Sequence, residues 1–282
     1  GCPHILAEPM RTNLLPYSSD FSQWITSGVT LTANASTSPS GSVDSYLVDL
    51  SATTDVWQRF DLTFTNPSGS TFGYGLCRKG TTSDETLTRC YAWGGQLEQA
   101  SYATSYIPTT GSTVTRNQDI FTRDGIGSLI NSTEGVLFLE MAALADDSTR
   151  RAITLSDGST SNRVILRYQN SSNAIQCFIN VAGALFSNLN DNSYTITDFL
   201  KIAFKWKAGD FALWINGTEV AVSADATSFG VGVLTELQFN EGDGAGSEYF
   251  GKVKQLQVYD TALGGSPYNA KLSDDRLRAL TS

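Results

Sequence analysis

The sequence predicts an all-β chain built as two β-sandwich domains. Short runs of alternating apolar and polar residues recur along it, separated by Gly, Asn, Asp, Ser and Pro, which is the pattern of sandwiches and barrels. Its 282 residues exceed one ordinary sandwich and suit two domains of about 100–200 residues each. Hydrophobic residues make up 40% and aromatics 11%, enough for packed cores and unlike a disordered chain.

In the first module, residues 29–33, 46–50, 56–65, 71–78, 86–93 and 102–107 read as strands. Tyr91, Trp93 and Leu97 share parity, which assigns Trp93 to a core face; Trp24 and Trp57 cannot be oriented from parity. Pairing Cys77 with Cys90 also pairs Tyr74 with Trp93 and puts the two thiols on one face. That register allows a cross-strand disulfide or two buried reduced thiols. Cys2 and Cys177 complete the set, which is too sparse for a disulfide scaffold and lacks metal spacing.

In the second module, residues 135–142 and 151–156 read as strands, and 163–168 with 174–181 as a hairpin around QNSSN. Residues 200–206 alternate cleanly, Gly209-Asp210 turns the chain, and 211–215 return. Asn216-Gly217 signals a second hairpin, because both positions tolerate positive φ. Pairing Ala208 with Phe211 puts Phe204, Trp206, Leu213 and Ile215 on the core face and leaves Trp214 opposite, across from Lys205. By the same parity, Val164, Leu166, Tyr168, Ile175, Cys177 and Ile179 face inward. Ile165, Arg167, Gln176, Phe178 and Asn180 then face out. A short helix follows after GGSPYNAK, with Ser273 as its N-cap and Leu272 and Leu277 as a hydrophobic staple.

The net charge of −9 and pI near 4.6, with no basic run, argue against nucleic acid as a partner. A neutral or cationic partner suits this surface, although mild acidity also serves solubility. No apolar run of about 18 residues exists, so no membrane insertion is expected. The start GCPHILAEPMRTNLL has neither an initiating Met nor a basic stretch leading into an apolar one. It reads as a processed or trimmed terminus without a secretion signal. Four N-glycosylation triplets, at Asn34, Asn131, Asn170 and Asn216, carry little weight in a Ser/Thr-rich chain.

The run YAWGGQLEQASYATSYIPTTGSTVTRNQD, from Tyr91 to Asp119, resembles a join found in bacteriophage tail fibre and spike proteins. There a carbohydrate-binding-module-like jelly roll ends in WGxQLExxxxATSYIPT, and VTR leads into a concanavalin A-like sandwich. The opening NLLPYSSDFSQW is similar to the start of those jelly rolls. KWKAGDFALWINGTEV and YFGKVKQLQVYDTAL are similar to the central hairpin and last strand of laminin-G-like domains. The resemblance implies a lead segment (1–11), a jelly-roll sandwich (12–117), and a concanavalin A-like or laminin-G-like sandwich (118–282) with the short C-terminal helix. The first module offers fewer strands than the roughly eight of a full jelly roll. Either it is a reduced version or a neighbouring chain completes its sheet. What the resemblance implies for function is a virion protein, assembled in the host cytoplasm and exposed on the particle. Its partners would be host surface polysaccharide, other virion proteins and copies of itself, as a homo-oligomer with a trimer favoured.

The only histidine, His4, is expected at a free, mobile end, so Ser-His-Asp, Cys-His and histidine-metal chemistry have no positioned base or ligand to use. Related sandwich lyases rely on a strand histidine absent here, and related hydrolases on an E-x-D-x-(x)-E strand. Glu140 is the lone carboxylate of 135–142, with Asp146 and Asp147 in the following turn. Glycosidic cleavage would therefore need two carboxylates brought together from distant strands. Sugar binding without chemistry needs an aromatic face ringed by amides, Arg or carboxylates. Trp214 and Phe178 with Arg167, Gln176 and Asn180 are the candidates for a concave binding face; packing under a loop, under the first module or in a subunit contact is the alternative. Calcium is the cofactor to consider, with Asp157 and Asn162 in LSDGSTSN and Asn240, Glu241 and Asp243 in NEGDGAGSE as candidate ligands. Turn chemistry explains these loops equally well. Three functions remain open: a non-enzymatic glycan-binding virion component, a purely structural one, and a glycan depolymerase.

Overall fold

The computed structural model describes residues 3–23, 31–33, 46–48, 59, 63, 90–262 and 270–282. Expectations for residues 56–65 and 71–78, for Trp24, Trp57 and Tyr74, and for the Cys77–Cys90 pairing lie outside these residues. The described strands are β1 (Ile5–Ala7), β2 (Arg11–Asn13), β3 (Leu31–Ala33), β4 (Tyr46–Val48), β5 (Cys90–Ala92), β6 (Val114–Arg116), β7 (Thr122–Arg123) and β8 (Glu134–Ala143). They continue with β9 (Arg151–Ser156), β10 (Arg163–Tyr168), β11 (Ile175–Val181), β12 (Ala184–Asp191) and β13 (Leu200–Lys207). The last are β14 (Phe211–Ile215), β15 (Thr218–Ser223), β16 (Glu236–Gln238) and β17 (Gly251–Tyr259), before helix α1 (Ala270–Thr281). The chain divides into two compact units, Met10–Gln118 and Gly1–Pro9 together with Asp119–Ser282.

In the first of these units, β3, β4 and β5 form one antiparallel sheet and β2 pairs with β6. Its ends are held by side chains more than by ladders. Asn13 is fully buried; its Nδ2 donates to the carbonyls of Gly95 (3.2 Å) and Ile107 (2.8 Å). Its Oδ1 accepts from the N–H of Leu15 (3.1 Å) and of Leu97 (3.2 Å). Gln96 Oε1 accepts the Ile107 N–H at 2.6 Å, and Glu98 accepts the Thr104 hydroxyl at 3.0 Å. Ser18 and Thr109 exchange bonds, and the Ser18 hydroxyl meets Tyr106 Oη at 2.6 Å. Tyr106 also packs on Trp93, ring centroids 4.5 Å apart. Residues 102–107, expected as a strand, are therefore irregular, because the side chains of Gln96, Glu98 and Asn13 take the backbone groups a ladder would use.

The second unit is a sandwich of two six-stranded sheets, ordered β1-β17-β8-β13-β14-β15 and β12-β11-β10-β9-β16-β7. The inner faces make one core: Leu137, Leu139, Met141, Ile202, Phe204, Trp206, Leu213 and Ile215 meet Ile153, Leu155, Val164, Leu166, Tyr168, Ile175, Cys177 and Ile179. The inward faces read from sequence for Phe204, Trp206, Leu213 and Ile215 and for residues 164–168 and 175–179 hold. Trp206 fits only because Gly135 faces it: a Cβ there would lie 2.4 Å from Trp206 Cζ2. Burial pushes the Cys177 thiol well above its usual range.

Several features of this unit differ from expectation. Residues 5–7 of the lead segment form an edge strand, Ile5 opposite Val253. Glu8 and Asp119 clip it, the Glu8 N–H reaching Asp119 Oδ2 and the Asp119 N–H reaching the Glu8 carbonyl, both at 2.9 Å. His4, expected at a free end, sits edge-on to Phe199 with centroids 5.8 Å apart. The β13–β14 register is two residues from the one expected: Phe204 pairs with Leu213, and Trp214 lies opposite Ala203. The cause is local. Gly209 takes φ +77°, the turn closes from Asp210 N–H to the Lys207 carbonyl (2.9 Å), and Asp210 is left to pair with buried Lys205 at 2.5 Å. Finally, α1 starts at Ala270, so Ser273 lies inside it and is not its N-cap.

The β9–β10 connection is shaped by Asp157. Its Oδ1 accepts from the Ser159 N–H (3.0 Å) and hydroxyl (2.6 Å), and its Oδ2 from Asn162 Nδ2 (2.8 Å). Burial raises its pKa, but these bonds outweigh that and hold it below the usual carboxylate range.

Two outcomes are expected. Asn13→Ala strands two buried carbonyls and two N–H groups, so urea unfolding of the first unit should show a loss of about 2–4 kcal/mol. The depressed Asp157 pKa gives stability that is present above the unfolded value and lost as pH falls through the folded one. The stability advantage over Asp157→Asn should thus be constant near neutrality and shrink below about pH 4, checked by thermal melts across pH.

Candidate functional site

The outer faces of the two sheets are sealed in different ways. On the first sheet, Val136, Phe138, Ala203, Ala212 and Trp214 pack under Leu277 of α1, flanked by Tyr259 and Leu280. Trp214 is 1% exposed, and the Arg278 guanidinium lies 6.0 Å from its ring. Phe178, Arg167, Gln176 and Asn180 lie on the outer face of the other sheet. The groove read from sequence is therefore split: parity assigned Trp214 to an outer face correctly, but that face is on the far side of the sandwich from Phe178, beneath the helix. Trp214 is packing, because the apolar stripe of α1 needs that surface.

The other four residues do come together, across β10 and β11. Phe178 is their floor and not a platform. It is 1% exposed, clusters with Ala152 and Ile165, and is roofed by the guanidiniums of Arg163 (5.5 Å) and Arg167 (4.9 Å). Both arginines converge on Glu241, Arg163 Nη1 at 2.6 Å from Oε2 and Arg167 Nη1 at 2.9 Å from Oε1. Arg163 Nε also donates to Asn180 Oδ1 at 2.9 Å. Burial lowers the Arg167 pKa and Glu241 raises it, with Arg150 and Arg163 adding to the lowering. An arginine remains charged under any such shift.

Glu241 arrives on the loop that follows β16. The loop is pinned to the sheet by the Thr154 hydroxyl on the Asn240 carbonyl (2.6 Å) and the Ser156 hydroxyl on the Gly242 carbonyl (2.8 Å). Gly242 has φ +97°, and a Cβ there would sit 2.8 Å from Thr154 Cγ2, so the close approach requires glycine.

Beyond Glu241 the face opens into a band of amides running across the strands. Asn190 Nδ2 donates to Asn188 Oδ1 at 3.1 Å, and Gln176 Nε2 donates to the same oxygen at 2.8 Å. Gln176 Oε1 accepts from Arg167 Nε (2.8 Å) and from Gln169 Nε2. Gln169 Oε1 in turn accepts from Arg150 Nε at 3.1 Å. Asn188, Asn190 and Arg150 are exposed. The band ends at a depression of about 390 Å³ lined by Thr149, Arg150, Asn170, Ser247, Glu248 and Phe250. Such a face can order hydroxyl groups through donors and acceptors whose mutual bonds already fix their orientation.

Sequence reasoning found Arg167 and Gln176 of this band and missed Arg163, Gln169, Asn188, Asn190 and Arg150. Parity alone would have added Arg163, which is four residues before Arg167 on one strand. The residues named as calcium candidates accept backbone N–H groups. Asn162 Oδ1 accepts the Ala182 N–H, Asn240 Oδ1 the Gly242 N–H and Asp243 Oδ1 the Ala245 N–H, while Asp157 is occupied as above. Among the described residues, no group of three or more His, Cys, Asp or Glu converges to hold a metal. The carboxylates considered for hydrolysis are each engaged: Glu140 with Lys254 (3.0 Å), Asp147 with Arg151 (2.7 Å), and Asp146 with the Asn173 N–H (3.1 Å).

No family model matches the chain, and no curated protein matches its sequence. Among solved structures, it is similar to the CBM40 domain of the Ruminococcus gnavus IT-sialidase bound to α2,3-sialyllactose. That likeness has TM-score 0.45 and 13% identity over 57% of this chain and 98% of that one. The leech intramolecular trans-sialidase gives 0.43 and 15% over 53% of this chain and 23% of that one. The Caenorhabditis elegans galectin LEC-6 gives 0.36 and 16% over 50% and 91%. The strand pairings establish the sandwich independently of these likenesses, which are too distant to bear on function.

Proposed function

We propose that this chain is a non-enzymatic glycan-recognition component of a phage virion, in a tail fibre, spike or appendage, that binds host surface polysaccharide during adsorption. The observation that carries the glycan reading is the band Asn190–Asn188–Gln176–Gln169–Arg150. It is a preorganised row of amides and a guanidinium, partly exposed, on a rigid sheet. Polar groups held by one another lose little freedom when a ligand hydroxyl joins them, which favours a weakly interacting but specific partner. The phage setting rests on the resemblance of residues 91–119 to the tail-fibre join. On this reading the protein is exposed on the assembled particle as a homo-oligomer, with a trimer favoured. Display in several copies multiplies modest single-site affinity.

The test is binding of the full chain to an array of bacterial surface polysaccharides. Gln176→Ala and Asn188→Ala should each weaken binding by about 0.5–1.5 kcal/mol, up to roughly tenfold, without loss of folding. Trp214→Phe should leave binding unchanged. A folded chain that binds nothing on such an array would reject the reading, and release of new reducing ends from the polysaccharide would replace it with a depolymerase.

A further inference from the structure

We propose that the depression at the end of the amide band is a subsite for one neutral hexopyranose ring, stacked on Phe250 and held by Glu248 and Arg150. The proposal rests on the glycan reading above and supplies what the band lacks, an accessible aromatic face. Phe178 is roofed by two guanidiniums and Trp214 by a helix, so neither can stack on a sugar. Phe250 is half-buried and lines the depression with Arg150, Asn170, Ser247, Glu248 and Thr149. A volume of about 390 Å³ lies at the small end of the range for ligand pockets, about 300–1,000 Å³.

The placement follows from the backbone. Ala152 forms a parallel bridge with Glu248, and the Ala152 N–H donates to the Ser247 carbonyl at 2.8 Å. Ala152 belongs to the outer-face cluster with Phe178, so alternation puts Glu248 and Phe250 on that face too. Two of the non-glycine residues with positive φ, Ser148 (57°) and Ser247 (47°), flank the depression. Such conformations cost free energy and concentrate where a geometry is needed for function.

The charges define the ligand class. Among the described residues, Arg150 has no carboxylate partner and Glu248 has no cation partner, although both line the same space. A guanidinium and a carboxylate that line one depression with an aromatic ring and form no ion pair suit a neutral polyol. The carboxylate accepts from adjacent hydroxyls, the guanidinium donates to hydroxyl or ring oxygen, and the ring's C–H face lies on Phe250. An acidic sugar would meet Arg150 favourably but be opposed by Glu248, so neutral rings should win.

The test uses the full chain and a panel of methyl pyranosides (gluco, galacto, manno and N-acetylglucosamine) with methyl glucuronide as the acidic comparison. Binding is followed by saturation-transfer NMR and titration. At least one neutral ring should bind, with transfer strongest at the protons of one ring face, and bind better than the glucuronide. Glu248→Gln should weaken it by about tenfold, and Phe250→Ala should abolish the face-selective transfer. Phe250→Leu, which keeps apolar volume, guards against a folding defect: it should retain the melting temperature and still lose the face selectivity. Polysaccharide binding that persists unchanged in Glu248→Gln and Phe250→Leu would overturn this subsite while leaving the glycan reading intact. Preference for the glucuronide, or no monosaccharide binding at all, would also overturn it. Absence of binding to every polysaccharide would remove both.

Discussion

The carboxylate of Glu241 is the hinge on which the recognition face depends. Two guanidiniums four residues apart on β10 would repel one another and leave Phe178 open to water. Glu241 lies between them, so each arginine gains a charge-assisted bond and the aromatic ring gains a roof. The same contact fixes the loop after β16 to the sheet. That anchoring lets the chain return alongside Ala152 with Glu248 and Phe250 on the outer face. Removing Glu241 would leave two partly buried like charges unpaired, a larger penalty than the pair's own net contribution.

The same logic explains why the two outer faces diverge. A sheet face left apolar must be covered. On the first sheet α1 does this, and its Leu277 and Leu280 meet Phe138 and Trp214. On the second, Phe178, which clusters with Ala152 and Ile165, is covered by the arginine–glutamate lattice instead. A helix gives a closed surface. A lattice of polar side chains gives a covered but hydrogen-bonding one, and so only the second sheet can present an amide band to solvent.

Much of this was readable from alternation, because a period of two is a local property. The core faces of residues 135–142, 151–156, 163–168 and 200–215 follow from it directly. What alternation cannot report is which partner covers a face. Phe178 and Trp214 each fell on an outer face as expected, yet one met arginines and the other a helix distant in sequence. The β13–β14 register failed by two residues because the turn used the positive φ of Gly209 one position earlier than Gly209-Asp210 implied. Strand β12 escaped notice because its alternation breaks at a register shift where Ser187 has φ +50°. Strand β1 escaped because its partner, β17, lies at the other end of the chain.

The run from Tyr91 to Asp119 carries structure. Gln96, Glu98, Thr104, Tyr106 and Thr109 spend their polar groups on one another, on Ser18 and on the main chain. The Gln96 and Ser18 bonds satisfy the Ile107 and Thr109 N–H groups, and the Glu98–Thr104 and Ser18–Tyr106 bonds hold the side chains around them, a structural use that needs no ligand. A motif of this kind identifies an architecture. The residues proposed to meet a glycan lie in the other unit, on the outer face of its second sheet and on the loops beside it. Resemblance in the clasp is therefore compatible with wide divergence in what is bound, and the ligand must be read from the open face of the second sandwich.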